Sequence, residues 1–126
     1  MPYADLDFFI ALSKEKDHLK ESATKINSSY KGDIVSSVIT IAEALLIAKA
    51  KKLDPEILVG AIFKLSDVEG ITIEEAMTAA HFVKEDLLNP FDSLHAVLSR
   101  NKEIISSDKR YGNLGFKTIV LESKYK

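Results

Sequence analysis

Tyr3-Ala4-Asp5-Leu6-Asp7-Phe8-Phe9-Ile10 is the stretch whose reading decides the fold. A short apolar strand over residues 2–5 ends on an acid, and an apolar run then starts a helix over about 7–15. In an open α/β sheet, a carboxylate at the C-terminal end of a strand faces the crevice where such folds bind ligands. Capping the helix is the ordinary alternative for Asp5 or Asp7, because helix N-caps favour Asp. Asp5 gains weight from acids that stand in comparable places further along the chain.

The chain has 126 residues, 46% hydrophobic and 29% charged, a composition that fits one globular domain over 1–126 with a sizeable core. A formal charge of -2 gives no overall basic footprint, so any nucleic-acid binding has to rest on a local patch or on metal ions. Cysteine is absent, which excludes disulfides, zinc-thiolate sites, iron–sulfur clusters and thiol catalysis. No secretory pattern and no apolar run of membrane-spanning length is present, so the expectation is a soluble, cytoplasmic protein without a membrane partner.

Taken in order, Asp17 is placed to cap a second helix, with Leu19, Ala23 and Ile26 at helical spacing. Ser28-Ser29-Tyr30-Lys31-Gly32 breaks it, and Asp33-Ile34-Val35-Ser36 reads as the second strand. In the helix over about 37–52, every residue from Val38 to Ala48 is apolar except Thr40 and Glu43, the pattern of a helix buried nearly all round. Glu43 therefore has aliphatic neighbours at Ile39, Leu46 and Ile47, and an ionised carboxylate there needs a cation or hydrogen bonds. Lys49, Lys51 and Lys52 lie too far along the helix to serve.

Asp54-Pro55 starts the next helix, which runs up to Gly70, with Ile71 adding a residue or two of strand. Thr72-Ile73-Glu74-Glu75 is a capping box, followed by Ile73, Ala76, Met77, Ala80 and Val83 as a buried face. Asn89-Pro90 opens a further helix that carries Asp92 in its first turn, where the dipole favours an acid in any case. His95 stands on the same face as Asp92, placed to orient it or a substrate, with a plain half-buried histidine as the alternative. Glu103-Ile104-Ile105-Ser106-Ser107-Asp108 repeats the strand-then-acid arrangement of Asp5. Thr118-Ile119-Val120-Leu121 is the last strand, and Lys124-Tyr125-Lys126 a polar tail.

Alternating strands and helices point to a parallel sheet with helices on both faces. Acids gathered at one edge of such a sheet repel one another unless divalent cations hold them, and all-oxygen donors fit Mg²⁺ or Mn²⁺.

Tyr3-Ala4-Asp5-Leu6-Asp7-Phe8-Phe9, the stretch from Ser37 to Glu43, Pro90-Phe91-Asp92-Ser93-Leu94-His95-Ala96 and the stretch from Ile104 to Tyr111 together resemble the PIN-domain family. The likeness is to its short single-domain prokaryotic members, many of them VapC-type toxins, and runs from residue 3 to about 121. It implies an α/β/α sandwich with a central, mostly parallel five-stranded sheet, and a metal-dependent endoribonuclease using one or two Mg²⁺ or Mn²⁺ ions. Carried over by position, Asp5, Glu43, Asp92 and Asp108 form the acidic, metal-holding and catalytic quartet, with Asp5 central and Asp108 outermost. Asp7, Ser106, Ser107 and His95 support it, and Lys109 and Arg110 are candidates to meet backbone phosphates. Asp7 replaces an Asn of many relatives, and Gly112 stands where relatives often carry another acid.

An RNA substrate, an antitoxin protein and a homodimer are the partners the resemblance implies. A non-catalytic scaffold binding RNA or protein, and a processing nuclease without antitoxin, are the competing readings. A doubly wound domain acting on a small phosphorylated molecule would need a Gly-rich phosphate loop, and none of the five glycines makes one.

Overall fold

The computed structural model describes residues 1–124. Strands β1 (Tyr3–Ala4), β2 (Val35–Ser37), β3 (Asp67–Glu69), β4 (Ile104–Ser106) and β5 (Thr118–Val120) form one all-parallel sheet in the order β3-β2-β1-β4-β5. Tyr3 lies opposite Val35 and Ile104, and Ile105 opposite Ala4 and Ile119. Between and around the strands run α1 (Leu6–Ser13), α2 (Lys20–Ser29), α3 (Val38–Lys51), α4 (Pro55–Leu65), α5 (Ile73–Lys84), α6 (Pro90–Leu98) and the short α7 (Arg110–Asn113).

The two-residue alternation of a strand sends neighbouring side chains to opposite faces of the sheet. Ala4, Ile34 and Ile105 join Phe8, Phe9, Leu58 and Ile62 in the larger core. Ile104 meets Ala96 and Tyr111 in a second cluster, and Tyr3 and Val35 meet Leu98 in a third. The expected α/β sandwich with a five-stranded sheet is therefore present, with every strand parallel.

Four local expectations need correction. The third strand is not at Ile71: α4 ends at Leu65, and Asp67-Val68-Glu69 pairs with β2 ahead of Gly70. Its two acids hide it in the sequence, and it is tolerated because β3 is an edge strand. The stripe of α5 faces outward. Ile73 and Met77 are 79% and 67% exposed, Ala76, Ala80 and Val83 are exposed too, and Ala79 and Phe82 turn inward instead. Nor is α3 buried all round. It seals the core through Thr40, Ala44 and Ala48 and leaves Val38, Leu45 and Leu46 in solvent. Asp17 caps the turn before α2, accepting from Leu19 N at 2.8 Å, while the helix itself begins at Lys20. Of the polar tail, Tyr125 and Lys126 lie outside the described residues.

The inward side of α5 is held by Arg100, just beyond α6. Its Nε donates to Glu75 Oε2 at 2.7 Å, and its Nη2 donates to Glu75 Oε1 and to Gly70 O, both at 2.9 Å. Thr72 and Glu75 meanwhile close the capping box of α5. Hydrogen bonding to Arg100 holds the Glu75 carboxyl down at about 2. An acid depressed in the folded state adds stability above its ordinary range, and this is lost as pH falls. Arg100→Ala is thus expected to lose about 1 kcal/mol at neutral pH, the scale of a well-aligned but partly exposed ion pair. Thermal unfolding should show that deficit narrowing as pH drops from 4.5 toward about 2.

Candidate functional site

Asp5 leaves β1 and enters α1 without an intervening loop. Its own N–H still belongs to the sheet, donating to Ile105 O at 3.0 Å, while its Oδ1 caps the helix by accepting from Leu6 N at 2.6 Å. The other carboxylate oxygen, Oδ2, accepts from Ser106 Oγ at 3.0 Å and lies 3.5 Å from the Tyr111 hydroxyl. Capping and site membership are thus not alternatives for Asp5: Oδ1 caps α1 and also faces His95, while Oδ2 meets the hydroxyls. Two residues on, Asp7 Oδ2 accepts the Ser107 hydroxyl and, at 2.8 Å, the Ser107 N–H. Asp7 Oδ1 is buried with no hydrogen-bond partner.

Glu43 finds its compensating cation in His95 of α6. The imidazole is fully buried, with Nε2 at 2.8 Å from Glu43 Oε1 and 3.4 Å from Asp5 Oδ1. Nδ1 lies 2.6 Å from the Tyr3 hydroxyl, which in turn is 2.8 Å from Ser37 Oγ. Ser37 is also the N-cap of α3, so one chain of contacts ties the starts of β1 and α3 to α6. Burial disfavours a charged ring, but Asp5 and Glu43 outweigh it and hold His95 protonated well above its ordinary range. His95 therefore serves Asp5 and Glu43, not Asp92 as its helical spacing implied.

Asp92 and Asp108 form the outer pair. Asn89 caps α6 by accepting from Asp92 N at 3.0 Å, which leaves the Asp92 carboxylate free to face the crevice. Asp92 Oδ1 accepts the Tyr111 hydroxyl at 3.1 Å, and Asp108 N donates to Ser106 Oγ at 3.0 Å. A single guanidinium nitrogen, Nη2 of Arg110, lies 2.6 Å from Asp92 Oδ2 and 2.7 Å from Asp108 Oδ2. Burial and the nearby Asp108 raise the Asp92 carboxyl, whereas hydrogen bonding from Arg110 lowers that of Asp108. Burial and the neighbouring Asp5 and Asp92 push the Tyr111 hydroxyl far up, so it stays a donor.

The structure brings Asp5, Glu43, Asp92 and Asp108 around one crevice through His95, Tyr111 and Ser106. Ser107 reaches Asp7, Lys109 is exposed and forms no ion pair among the described residues, and Arg110, though half exposed, pairs with the acids. Tyr3, Ser37 and Tyr111 were not singled out from sequence. A buried tyrosine within a run of acids and hydroxyls was the available signal, but apolar packing explains a lone tyrosine equally well. Ligand atoms of Asp5, Glu43 and His95 lie within 4.8 Å of one another. The protonated His95 ring offers no lone pair, so the donors are the carboxylates of Asp5 and Glu43. The orphaned Asp7 oxygen lies two residues on from Asp5, and such oxygen donors fit a hard divalent cation.

The sequence signature of the PIN domain matches residues 3–117, and the chain belongs to the PIN domain family. Among solved structures, a toxin-antitoxin complex from Klebsiella pneumoniae is similar at TM-score 0.75 and 14% identity, covering 98% of this chain and 99% of that one. The Mycobacterium tuberculosis toxin VapC20, which cleaves the sarcin-ricin loop, matches at 0.72 and 18% identity over 90% and 95% of the two chains. VapBC2 from Rickettsia felis, bound to a DNA fragment from its promoter, matches at 0.67 and 11% identity over 95% and 98%. At these identities the likeness establishes the fold. No curated protein sequence matches the chain significantly.

Burial, reinforced by Asp7 and Glu43 and opposed by His95, pushes the Asp5 carboxyl up to about 7. A group raised in the folded state contributes stability below its unfolded value and loses it as pH rises through the folded one. Asp5 and His95 are both raised, so their contributions have the same sign. In the presence of a chelator, the protein is expected to be more stable near pH 5.5 than near pH 8, by on the order of 1–3 kcal/mol. Asp5→Asn should flatten that slope in thermal unfolding between those two values.

Proposed function

We propose that the protein is a Mg²⁺- or Mn²⁺-dependent endoribonuclease that acts in the cytoplasm as the toxin of a toxin-antitoxin pair. The observation that carries this reading is the meeting of Asp5, Glu43, Asp92 and Asp108 at the C-terminal edge of the sheet of a PIN domain. Membership of that family supports nuclease chemistry. The toxin-antitoxin complexes among the structural neighbours support an antitoxin protein as partner. Among the described residues no helix is long and apolar enough to cross a membrane. A homodimer belongs to the same reading.

Asp5, Glu43 and Asp92 would hold the cation, with Asp108 in the outer position and one or two ions in all. Such an ion, when bound, supplies charge neutralisation at the phosphate and an acidified water as nucleophile. The remaining work falls to the chain itself. Ser106 and Tyr111 fix one oxygen of Asp5, and His95, locked by Tyr3, fixes Glu43. This preorganisation matters because a ligand displaced by an ångström costs orders of magnitude in rate. Lys109, exposed beside Asp108, is placed to meet a backbone phosphate of the RNA.

Labelled RNA incubated with Mn²⁺ is expected to be cut by the wild type, and the activity to vanish with chelator. Asp5→Asn and Glu43→Gln should each lower the rate by about 100-fold or more, the scale on which metal-assisted charge stabilisation acts. Circular dichroism would verify that both variants are folded. A folded wild type that takes up Mn²⁺ yet cuts no RNA from a broad pool would instead support a non-catalytic scaffold.

A further inference from the structure

We propose that Arg110 is a built-in cation for the outer half of this site, engaging the Asp92 and Asp108 carboxylates that a divalent ion would otherwise draw on. The proposal rests on the metal-dependent reading given above and adds a competition that the reading does not require.

The geometry is specific. One nitrogen, Nη2, contacts an oxygen of each acid at 2.6 and 2.7 Å, so a single positive group spans both carboxylates. Nε adds contacts of 3.1 and 3.2 Å to Asp108. Arginine's fork suits paired carboxylates, but it brings one positive charge where a metal brings two.

The acids do not need Arg110 to be in place. Asn89 fixes the backbone of Asp92 and Tyr111 holds Asp92 Oδ1. Ser106 holds the backbone of Asp108, and the main-chain N–H of residue 110, which a side-chain substitution keeps, donates to Asp108 Oδ1 at 2.9 Å. Removing the guanidinium therefore leaves two positioned carboxylates with their mutual repulsion restored, which is a demand for a cation rather than a collapse.

The two cations of the crevice also differ in their freedom to leave. His95 is fully buried and bonded on both ring nitrogens. The Arg110 side chain is 54% exposed, sits on the four-residue α7, and forms no side-chain bond other than those to Asp92 and Asp108 among the described residues. It can swing into solvent with little packing lost, whereas His95 cannot. The inner half of the site thus has a permanent cation and the outer half a displaceable one.

An occupant that must leave first reduces the apparent affinity by the fraction of time that it is away. If Arg110 vacates the pair in about one molecule in ten, its removal tightens Mn²⁺ binding about tenfold. Calorimetric titration of the metal-free protein with Mn²⁺ reads this directly. Arg110→Ala is expected to bind about tenfold more tightly than wild type, and Arg110→Lys, which keeps the charge but loses the fork, to fall between them. Lys109→Ala makes the same charge change one residue away and should move the affinity by less than about twofold. Asp92→Asn added to Arg110→Ala should abolish the gain.

Wild-type affinity or weaker binding in a folded Arg110→Ala overturns the proposal, as does an equal gain from Lys109→Ala. If Mn²⁺ binds the wild type and RNA is cut while Arg110→Ala gains nothing, the competition fails alone. If neither wild type nor Arg110→Ala takes up Mn²⁺, the metal-dependent reading fails with it.

Discussion

Mutual repulsion among carboxylates is the constraint that organises this molecule. Asp5, Asp7, Glu43, Asp92 and Asp108 are brought to one edge of a sheet whose strands are two or three residues long, and among the described residues His95 and Arg110 are the cations that pair with them there. Ion pairing alone leaves negative charge in excess. Part of the answer is protonation, since burial and its acidic neighbours lift Asp5 to about 7. Hydroxyls supply another part, because Ser106, Ser107 and Tyr111 each give a donor to an oxygen that water cannot reach freely. What remains is a standing preference for multivalent positive charge at this edge of the fold.

The neighbouring architecture serves the same end. Ser37 caps α3 and touches Tyr3, Ser106 pairs through its backbone with β5 and bonds Asp5, and Asn89 caps α6 so that Asp92 need not. Small polar residues at strand ends and helix starts carry the local structure and orient the acids at once. Larger side chains stay in the layers on either side of the sheet, where Phe8, Phe9, Leu58 and Ile62 are sealed from water.

Much of this was legible from the residues because acids at strand ends and helix starts have few places to go. The approach of Asp5, Asp92 and Asp108 follows from that. The parallel order was read from the alternation of strands and helices, and mid-helix Glu43 from its aliphatic neighbours and the resemblance to the PIN family. The need of Glu43 for a partner was legible too, but not which residue met it, since helical spacing relates His95 to Asp92 and says nothing about a different helix. The orientation of α5 was misread for a physical reason. Its apolar stripe and its opposite face share the same period, and the face that packs is the one carrying Ala79 and Phe82 together with Glu75, which Arg100 grips from 25 residues away. Arg110 was read as a candidate to meet backbone phosphates; that both acids lie within its reach depends on the turn of the backbone, which sequence spacing does not give.

The absence of a loop between β1 and α1 limits how this chain is able to vary in length. Asp5 is at once the last residue hydrogen-bonded to β4 and the first cap of α1. One residue inserted there shifts the following chain by about 3.3 Å and turns the next side chain to the other face of the sheet. The carboxylate would then be lost to the crevice even in a chain that still folds. Exposed turns at residues 14–16 and 31–33 bear no such duty and can absorb insertions. Drift in length is thus channelled to the far end of the strands, while the edge that carries the acids is held to a fixed count.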